Sequence, residues 1–134
     1  MSVMAIDYGA RRIGIAVSDS GSIATPHSVL RNEGDVVETL AALARRLDAD
    51  TIVLGIPRRA VSSSGEAKFR ELAERLRQKT CKAVVLWDEA LTTVEAAERL
   101  RAGGRRRRDA QREIDMHAAA VILQSYLDAA GRAP

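Results

Sequence analysis

Short apolar runs alternate with stretches of helical periodicity along this chain, and that alternation constrains the fold more than any other feature. Five runs predict strands, at residues 3–6, 13–17, 27–31, 51–54 and 83–87. The first two runs are separated by so few residues that their strands can only pair antiparallel. The third run follows the loop that contains Pro26 and has the weakest strand pattern of the five.

Four helices are predicted between and after these strands. Apolar residues recur at helical spacing from Asp35 to about Asp48, and a last helix is expected over 114–130 with Gly131 as its C-terminal cap. Two capping boxes, in which Ser or Thr precedes Glu by three residues, open the two helices between these. The pairs are Ser63 with Glu66, and Thr92 with Glu95 in a helix that ends near Ala102 before Gly103 and Gly104.

The order of these elements, β-β-β-α-β-α-β-α-α, predicts an α/β fold built on a mixed five-stranded sheet. The first three strands are expected to be antiparallel, and the helices are expected to cover the faces of the sheet. A length of 134 residues and an apolar content of 46% fit one domain over residues 1–134 with a single core.

Arginine carries nearly all of the positive charge, since Lys68, Lys79 and Lys82 are the only lysines among 21 basic residues. A GC-rich genome would explain that ratio, but it does not explain a cluster of consecutive arginines. The cluster comprises Arg105, Arg106, Arg107 and Arg108. Because the planar guanidinium suits phosphate, the cluster predicts a contact with nucleic acid or another polyanion, with a solvated flexible loop as the alternative.

Other residue types narrow the chemistry and the location. Cys81 is the only cysteine, which excludes an intramolecular disulfide and a thiolate metal cluster. His27 and His117 are the only histidines, and a His-based zinc site is not expected. No signal-type sequence follows Met1, and no apolar run approaches the roughly 20 residues that cross a bilayer. The expectation is a cytosolic protein without a membrane partner.

Carboxylates stand where the pattern leads to apolar residues. Asp7 follows the first strand run, Asp88 and Glu89 follow the last, and Asp115 lies one residue into the final helix. A carboxylate at the edge of a core costs several kcal/mol unless it is paired, hydrogen-bonded or bound to a metal. Local roles are the alternative: Asp7 and Asp88 can cap a turn or a helix, and Asp115 can favour the positive end of its helix.

Together these carboxylates indicate a metal site. The carboxyl ends of strands in an α/β sheet border the crevice where sites form. Convergent carboxylates without Cys or His suit a hard cation, Mg²⁺ or Mn²⁺. Two such ions about 4 Å apart can activate a water and stabilise the leaving oxygen of a phosphodiester. Such a site would be suited to the hydrolysis of phosphodiester bonds, with the local capping roles as the alternative.

Segments spread over nearly the whole chain resemble the YqgF family. They are AIDYGARRIGIAVSD at 5–19, ATP at 24–26, IVLGIP at 52–57, DEALTTVEA at 88–96, and 115–128, which includes ILQSYLD. The resemblance implies a ribonuclease H-like fold related to the RuvC resolvases. It also implies a nuclease that resolves Holliday junctions or matures the 5′ end of 16S rRNA.

Carried over by position, the resemblance implies a set of site residues. Asp7, Glu89 and Asp115 would be the catalytic carboxylates that bind the metal, with Asp88 as the alternative to Glu89. Gly9 and Gly14 would keep the backbone close to the site. Basic side chains would contact the nucleic-acid backbone, namely Arg11, Arg12, Arg58, Arg59, Arg105, Arg106, Arg107 and Arg108.

Two departures from the family pattern leave alternatives open. Ala90 stands where the family usually has arginine, and residues 58–61 replace a loop with Asn and Asp. A non-catalytic nucleic-acid-binding or ribosome-assembly factor is therefore the main alternative to a nuclease. An actin-like ATPase fragment is the remote alternative, because Asp7, Gly9 and Gly14 also resemble a phosphate loop of those enzymes, which need two such domains.

The sequence does not choose between an rRNA precursor and branched DNA as the substrate. The scarcity of aromatic residues favours recognition through the backbone and its shape over stacking on bases. Junction cutting would require two active sites related by a twofold axis, and therefore a homodimer, whereas a monomer suits rRNA trimming equally well.

Overall fold

The computed structural model describes residues 2–56, 64–88 and 110–131, with the side chains of Ser64 and residues 110–115 outside that description. Five strands and three helices lie in these ranges. They are β1 (Val3–Tyr8), β2 (Arg12–Ser18), β3 (Thr25–Arg31), α1 (Val36–Arg46), β4 (Thr51–Ile56), α2 (Ser64–Thr80), β5 (Ala83–Asp88) and α3 (Ala110–Gly131).

The five strands form one mixed sheet in the order β3-β2-β1-β4-β5. The pairs β1/β2 and β2/β3 are antiparallel, and the pairs β1/β4 and β4/β5 are parallel. The predicted mixed sheet with three leading antiparallel strands is confirmed. We call the edge formed by the ends of β1, β4 and β5 the carboxyl edge of the sheet, and the opposite one the amino edge.

Each face of the sheet is covered by an apolar cluster. On the α1/α2 face, Ile6 and Leu54 are fully buried beneath Leu40 and Leu76. Each such buried side chain contributes about 1.5–3 kcal/mol to folding. On the α3 face the cluster consists mainly of small residues, which lets the helix lie close to the sheet. These include Ala5, Ala16, Val53, Ala119 and Ala120.

Local interactions fix where α1 and α2 begin and end. The Asp35 side chain accepts a hydrogen bond from the backbone N–H of Glu38 at 3.2 Å, which caps the N-terminus of α1. Asp48 (φ 54°) and Cys81 (φ 57°) take left-handed backbone conformations just after α1 and α2. Glu38 bridges the two helices through Lys79 at 3.0 Å, and that hydrogen bond lowers the pKa of the Glu38 carboxyl.

The buried amide of Gln124 attaches α3 to the sheet. Its Oε1 accepts a hydrogen bond from the Ala24 backbone N–H at 2.9 Å, and its Nε2 donates to the Ser22 carbonyl at 2.9 Å. Both partners precede β3, whose first residue pairs with Val17 near the amino edge. The C-terminal half of α3 is thereby held towards the amino edge, and its N-terminal half points towards the carboxyl edge.

Several boundaries differ from the sequence-based predictions. β4 continues through Gly55 to Ile56, where a loop was expected, and β3 begins at Thr25, so that it includes Pro26. Pro26 is tolerated because β3 lies at the edge of the sheet, where a missing N–H costs no ladder bond. α3 begins at Ala110 instead of near 114, and Gly131 is its last helical residue instead of a cap beyond it.

Other predictions fall outside the described residues. They are Ser63 of the first capping box, the helix over 92–102, and the glycines and arginines between 103 and 108. Within residues 2–56, 64–88 and 110–131, no helix combines the length and apolar character that a membrane span requires.

Candidate nuclease site at the carboxyl edge

The candidate site begins with Asp7, a half-buried residue near the end of β1. Side chains alternate between the faces of a strand, and Val3 and Ala5 belong to the cluster beneath α3. Asp7 therefore faces α3, at the carboxyl edge. Its neighbours across the sheet are Gly14 on β2 and Gly55 on β4. A carboxylate thus stands between two residues without side chains.

The glycine on β4 is required by the packing of α3. A Cβ atom at Gly55 would lie 2.7 Å from Cδ1 of Ile122, well inside the normal contact distance. Ile122 is buried and occupies the space above Gly55. The helix therefore packs closely on the sheet beside Asp7, and Gly14 leaves the opposite side of that carboxylate without a side chain as well.

Asp88 lies on the other face of the sheet. It is the last residue of β5 and pairs with Ile56, which belongs to the core beneath α1 and α2. Trp87, one residue earlier, pairs with Gly55 and packs against the α3 cluster. Strand alternation therefore separates Asp88 from Asp7. Glu89 lies outside the described residues.

Asp115 belongs to α3, seven residues before Ile122, which amounts to about two helical turns, or roughly 10 Å along the axis. This places its backbone on the carboxyl-edge side of Ile122. Because α3 begins at Ala110, Asp115 lies beyond the first helical turn, where the attraction to the helix N-terminus has faded. The helix-end alternative for this carboxylate is thereby weakened.

The first two arginines of the predicted interface lie at the end of the turn between β1 and β2 and at the start of β2. Arg11 and Arg12 are both exposed. The turn is closed by a hydrogen bond of 3.0 Å from the Gly9 N–H to the Arg12 carbonyl. A Cβ atom at Gly9 would lie 2.5 Å from that same carbonyl oxygen, so only glycine fits. Because the Gly9 N–H is bonded within the turn, closure of the turn does not depend on capping by Asp7.

The remaining arginines of the predicted interface fall outside the described residues. These are Arg58 and Arg59 after β4, and Arg105, Arg106, Arg107 and Arg108 before α3. The part of the chain that is described contains no group of three or more His, Cys, Asp or Glu side chains that could hold a metal ion. Asp7 is the one carboxylate of the predicted set whose side chain is described and faces α3.

Two residues of this site do not follow from the sequence pattern. Gly55 was assigned to a loop, although the apolar residues Ile52, Leu54 and Ile56 continue the period of two past it and could have extended the strand. Asn32, just after β3, contacts the β1–β2 turn through hydrogen bonds to Tyr8 and Gly9. A contact across 23 residues leaves no local signal in the sequence.

Comparison with solved structures establishes the class of fold. Thermus thermophilus RuvC in complex with a Holliday junction substrate is similar over 98% of this chain and 96% of its own, with a TM-score of 0.68 and 13% identity. The fowlpox virus resolvase bound to Holliday junction DNA has a TM-score of 0.63 and 9% identity, over 97% of this chain and 99% of its own. The yeast mitochondrial resolvase Ydc2 has a TM-score of 0.56 and 14% identity, over 93% of this chain and 77% of its own. The chain has the ribonuclease H-like fold of the RuvC-type resolvases, as predicted.

Sequence comparison then gives the family. The family described as "RuvX: Holliday junction resolvase" matches residues 1–129. A Mycobacterium tuberculosis relative named "Putative pre-16S rRNA nuclease" is 42% identical over 93% of this chain and 77% of its own. An Anaeromyxobacter relative of the same name is 40% identical over 96% and 97%. The chain belongs to the RuvX family of nucleases, and the resemblance to the YqgF family is confirmed.

Proposed function

We propose that this protein is a metal-dependent nuclease that hydrolyses phosphodiester bonds in nucleic acid. One observation carries the proposal: Asp7 is held on the α3 face between two glycines, at the carboxyl edge of a RuvX-family chain. Asp7 is half-buried, and the glycines opposite it on β2 and β4 leave space at the carboxyl edge for a hard cation and a phosphate. A core residue or a turn cap would not need that space.

Mg²⁺ or Mn²⁺ would be held by Asp7, Glu89 and Asp115, in a site of the two-metal type. Asp88 is the weaker candidate because it faces α1 and α2, so we assign the metal-binding role at the end of β5 to Glu89, which follows it. Bound ions would supply an activated water and would neutralise charge on the leaving oxygen. The chain's own part is to hold Asp7 on β1 and to bring α3 close through Gly55 and Ile122.

We infer that the primary substrate is a precursor of 16S rRNA, because the relatives at 40–42% identity are named "Putative pre-16S rRNA nuclease". Cutting near the 5′ end is what the family resemblance implies. Holliday junction DNA is the second candidate, favoured by the description of the family. Junction resolution would require a homodimer with two sites, whereas rRNA processing would not.

Binding would rest mainly on contacts with the phosphate backbone. Arg11 and Arg12 are exposed where the turn after β1 leads into β2, close to the carboxyl edge. Arg58, Arg59 and the cluster Arg105 to Arg108 would extend this surface. Contacts of this kind release counterions, so binding would weaken steeply as the salt concentration rises.

Cleavage of labelled pre-16S rRNA, single-stranded DNA and a four-way DNA junction, each with Mg²⁺, Mn²⁺ or EDTA, tests the proposal. Wild type would be compared with Asp7→Asn and with Asp19→Asn, which makes the same chemical change at an exposed position after β2, at the amino edge. We expect metal-dependent cutting that falls by roughly 10²-fold or more in Asp7→Asn, since even outer-shell changes at metal sites cost 10–100-fold. Asp19→Asn should cut as wild type does.

The outcome also separates the alternatives. Cutting of the RNA in preference to the junction would support rRNA processing, and the reverse would support junction resolution. If no substrate is cut while wild type and Asp7→Asn bind RNA equally well, the protein is a non-catalytic binding or assembly factor, and the nuclease proposal is wrong.

A further inference from the structure

The chain's only asparagine, Asn32, closes over the turn between β1 and β2. Its Nδ2 donates to the Gly9 carbonyl at 2.8 Å, and its Oδ1 accepts from the Tyr8 hydroxyl at 3.4 Å. Its backbone N–H donates to the Arg11 carbonyl at 2.9 Å. Asn32 is half-buried, so these bonds are partly shielded from water. One residue just after β3 therefore bonds to the last residue of β1 and to two residues of the turn.

Its bonds leave the turn little freedom. The Gly9 N–H is bonded to the Arg12 carbonyl and the Gly9 carbonyl to Asn32, so both backbone groups of this glycine are satisfied. The strand pairing resumes at once, with Tyr8 opposite Ile13. Only three residues, 9–11, connect the two strands. A turn this short, held at both ends by pairing and in the middle by Asn32, has one geometry.

That geometry fixes the backbone of two arginines relative to Asp7. Asp7 lies two residues before Gly9, and Arg11 and Arg12 lie two and three residues after Gly9. Both arginine side chains are exposed, while the backbone that carries them is fixed by hydrogen bonds. A fixed backbone reduces the conformational entropy that each arginine loses when it binds a phosphate, and this preorganisation raises affinity.

We propose that Asn32 is a positioning residue for substrate. It holds the β1–β2 turn so that Arg11 and Arg12 meet the phosphate backbone beside the scissile bond at Asp7. The inference rests on the proposed nuclease function. It assigns Asn32 a role in binding the nucleic-acid backbone and none in the chemical step.

A double-mutant cycle on RNA binding tests this role. Asn32→Ala would be measured in the wild type and in an Arg11→Ala/Arg12→Ala background, as Kd over a range of salt concentrations. Tyr8→Phe is the matched control, since it removes the long bond to Oδ1 and leaves the bond to Gly9. Asn32→Ser gives a second variant that is too short to reach Gly9, and circular dichroism confirms that each protein is folded.

In the wild-type background, Asn32→Ala should raise Kd roughly tenfold and lower the slope of log K against log salt by about one to two, as expected for two lost phosphate contacts. Its effect should disappear in the double-arginine background, because Asn32 acts through those side chains. KM should rise with kcat unchanged, since the interaction is made equally in the ground and transition states. Tyr8→Phe should behave nearly as wild type.

Equal effects of Asn32→Ala in the two backgrounds, or a fall in kcat without a change in KM, would overturn the positioning role. So would an unchanged salt slope, or arginine variants that bind as well as wild type. These outcomes are distinct from failure of the nuclease proposal, which is decided by the comparison of wild type with Asp7→Asn. A protein that cuts RNA through Asp7 and shows additive Asn32 effects would retain the first proposal and lose the second.

Discussion

At the scale of single residues, glycine matters on this sheet because of the volume it leaves empty. Gly55 accommodates Ile122 of α3, and Gly9 accommodates the Arg12 carbonyl. The two glycines differ in whether the neighbouring atoms can move to make room for a Cβ atom. Above Gly55 the obstacle is the tip of a side chain, whereas at Gly9 the obstacle is backbone. A substitution at Gly55 can therefore be rescued by trimming its neighbour.

Gly55→Ala should destabilise the protein by about 1–3 kcal/mol through overpacking. Ile122→Val removes the Cδ1 atom that the new methyl group would meet at 2.7 Å, and alone it should cost about 0.5–1.5 kcal/mol. We expect the double variant to be more stable than the sum of the single changes predicts, by at least about 0.5 kcal/mol. Urea unfolding of all four proteins measures this coupling.

Gly131→Ala is the matched control for that cycle, because nothing lies within 4 Å of a Cβ atom at this last helical residue. It should leave stability unchanged or slightly raised, since alanine favours the helix more than glycine does. Strict additivity of the Gly55 and Ile122 changes would show that α3 does not rest on β4 as described.

At this scale the pattern predicts Asp7, and the family resemblance adds Gly9 and Gly14; the structure places all three at or beside the β1–β2 turn. The pattern alone does not separate Asp88 from Glu89, because the face that each residue of a strand end occupies is known only from the pairing with β4; the preference for Glu89 came from the family resemblance. Sequence reasoning also missed Asn32, whose partners are more than 20 residues away along the chain. The catalytic roles of Asp7, Glu89 and Asp115 stay predictions.

At the scale of helices and strands, local capping signals were only partly readable. The start of α1 was located from its periodicity, and the structure shows Asp35 capping it. Asp35→Ala should cost about 1 kcal/mol, because the N–H of Glu38 then loses its acceptor. Asp35→Ser should retain most of that stability, since serine caps as well as aspartate. Equal melting temperatures for the two variants in thermal unfolding would contradict the capping role.

The order of strands and helices was predictable because apolar periodicity changes sharply from two to 3.6 residues along the chain. The ends of β4 and α3 were not. β4 extends through Gly55 because β1 and β5 flank it on both sides. α3 begins four residues early and keeps Gly131 helical.

At the scale of the whole molecule, the two faces of the sheet have different roles. The α1/α2 face holds the larger aliphatic side chains and most of the core. The α3 face is lined by small residues and carries Asp7 at its carboxyl edge. The packing of α3 over small residues places the backbone of Asp115 on the carboxyl-edge side of Ile122. The single domain over 1–134, the cytosolic location and the homodimer stay predictions.

The proposed metal site lies at the carboxyl edge beside Asp7, and a titration of ¹⁵N-labelled protein with Mn²⁺ tests this claim. Paramagnetic broadening falls steeply with distance from the ion, so the amide signals of Asp7, Gly14 and Gly55 should disappear first. Signals near Asp19, at the amino edge, should persist, and Asp7→Asn should abolish the selective loss. Broadening that begins at the amino edge, or that is the same in Asp7→Asn, would contradict the claim.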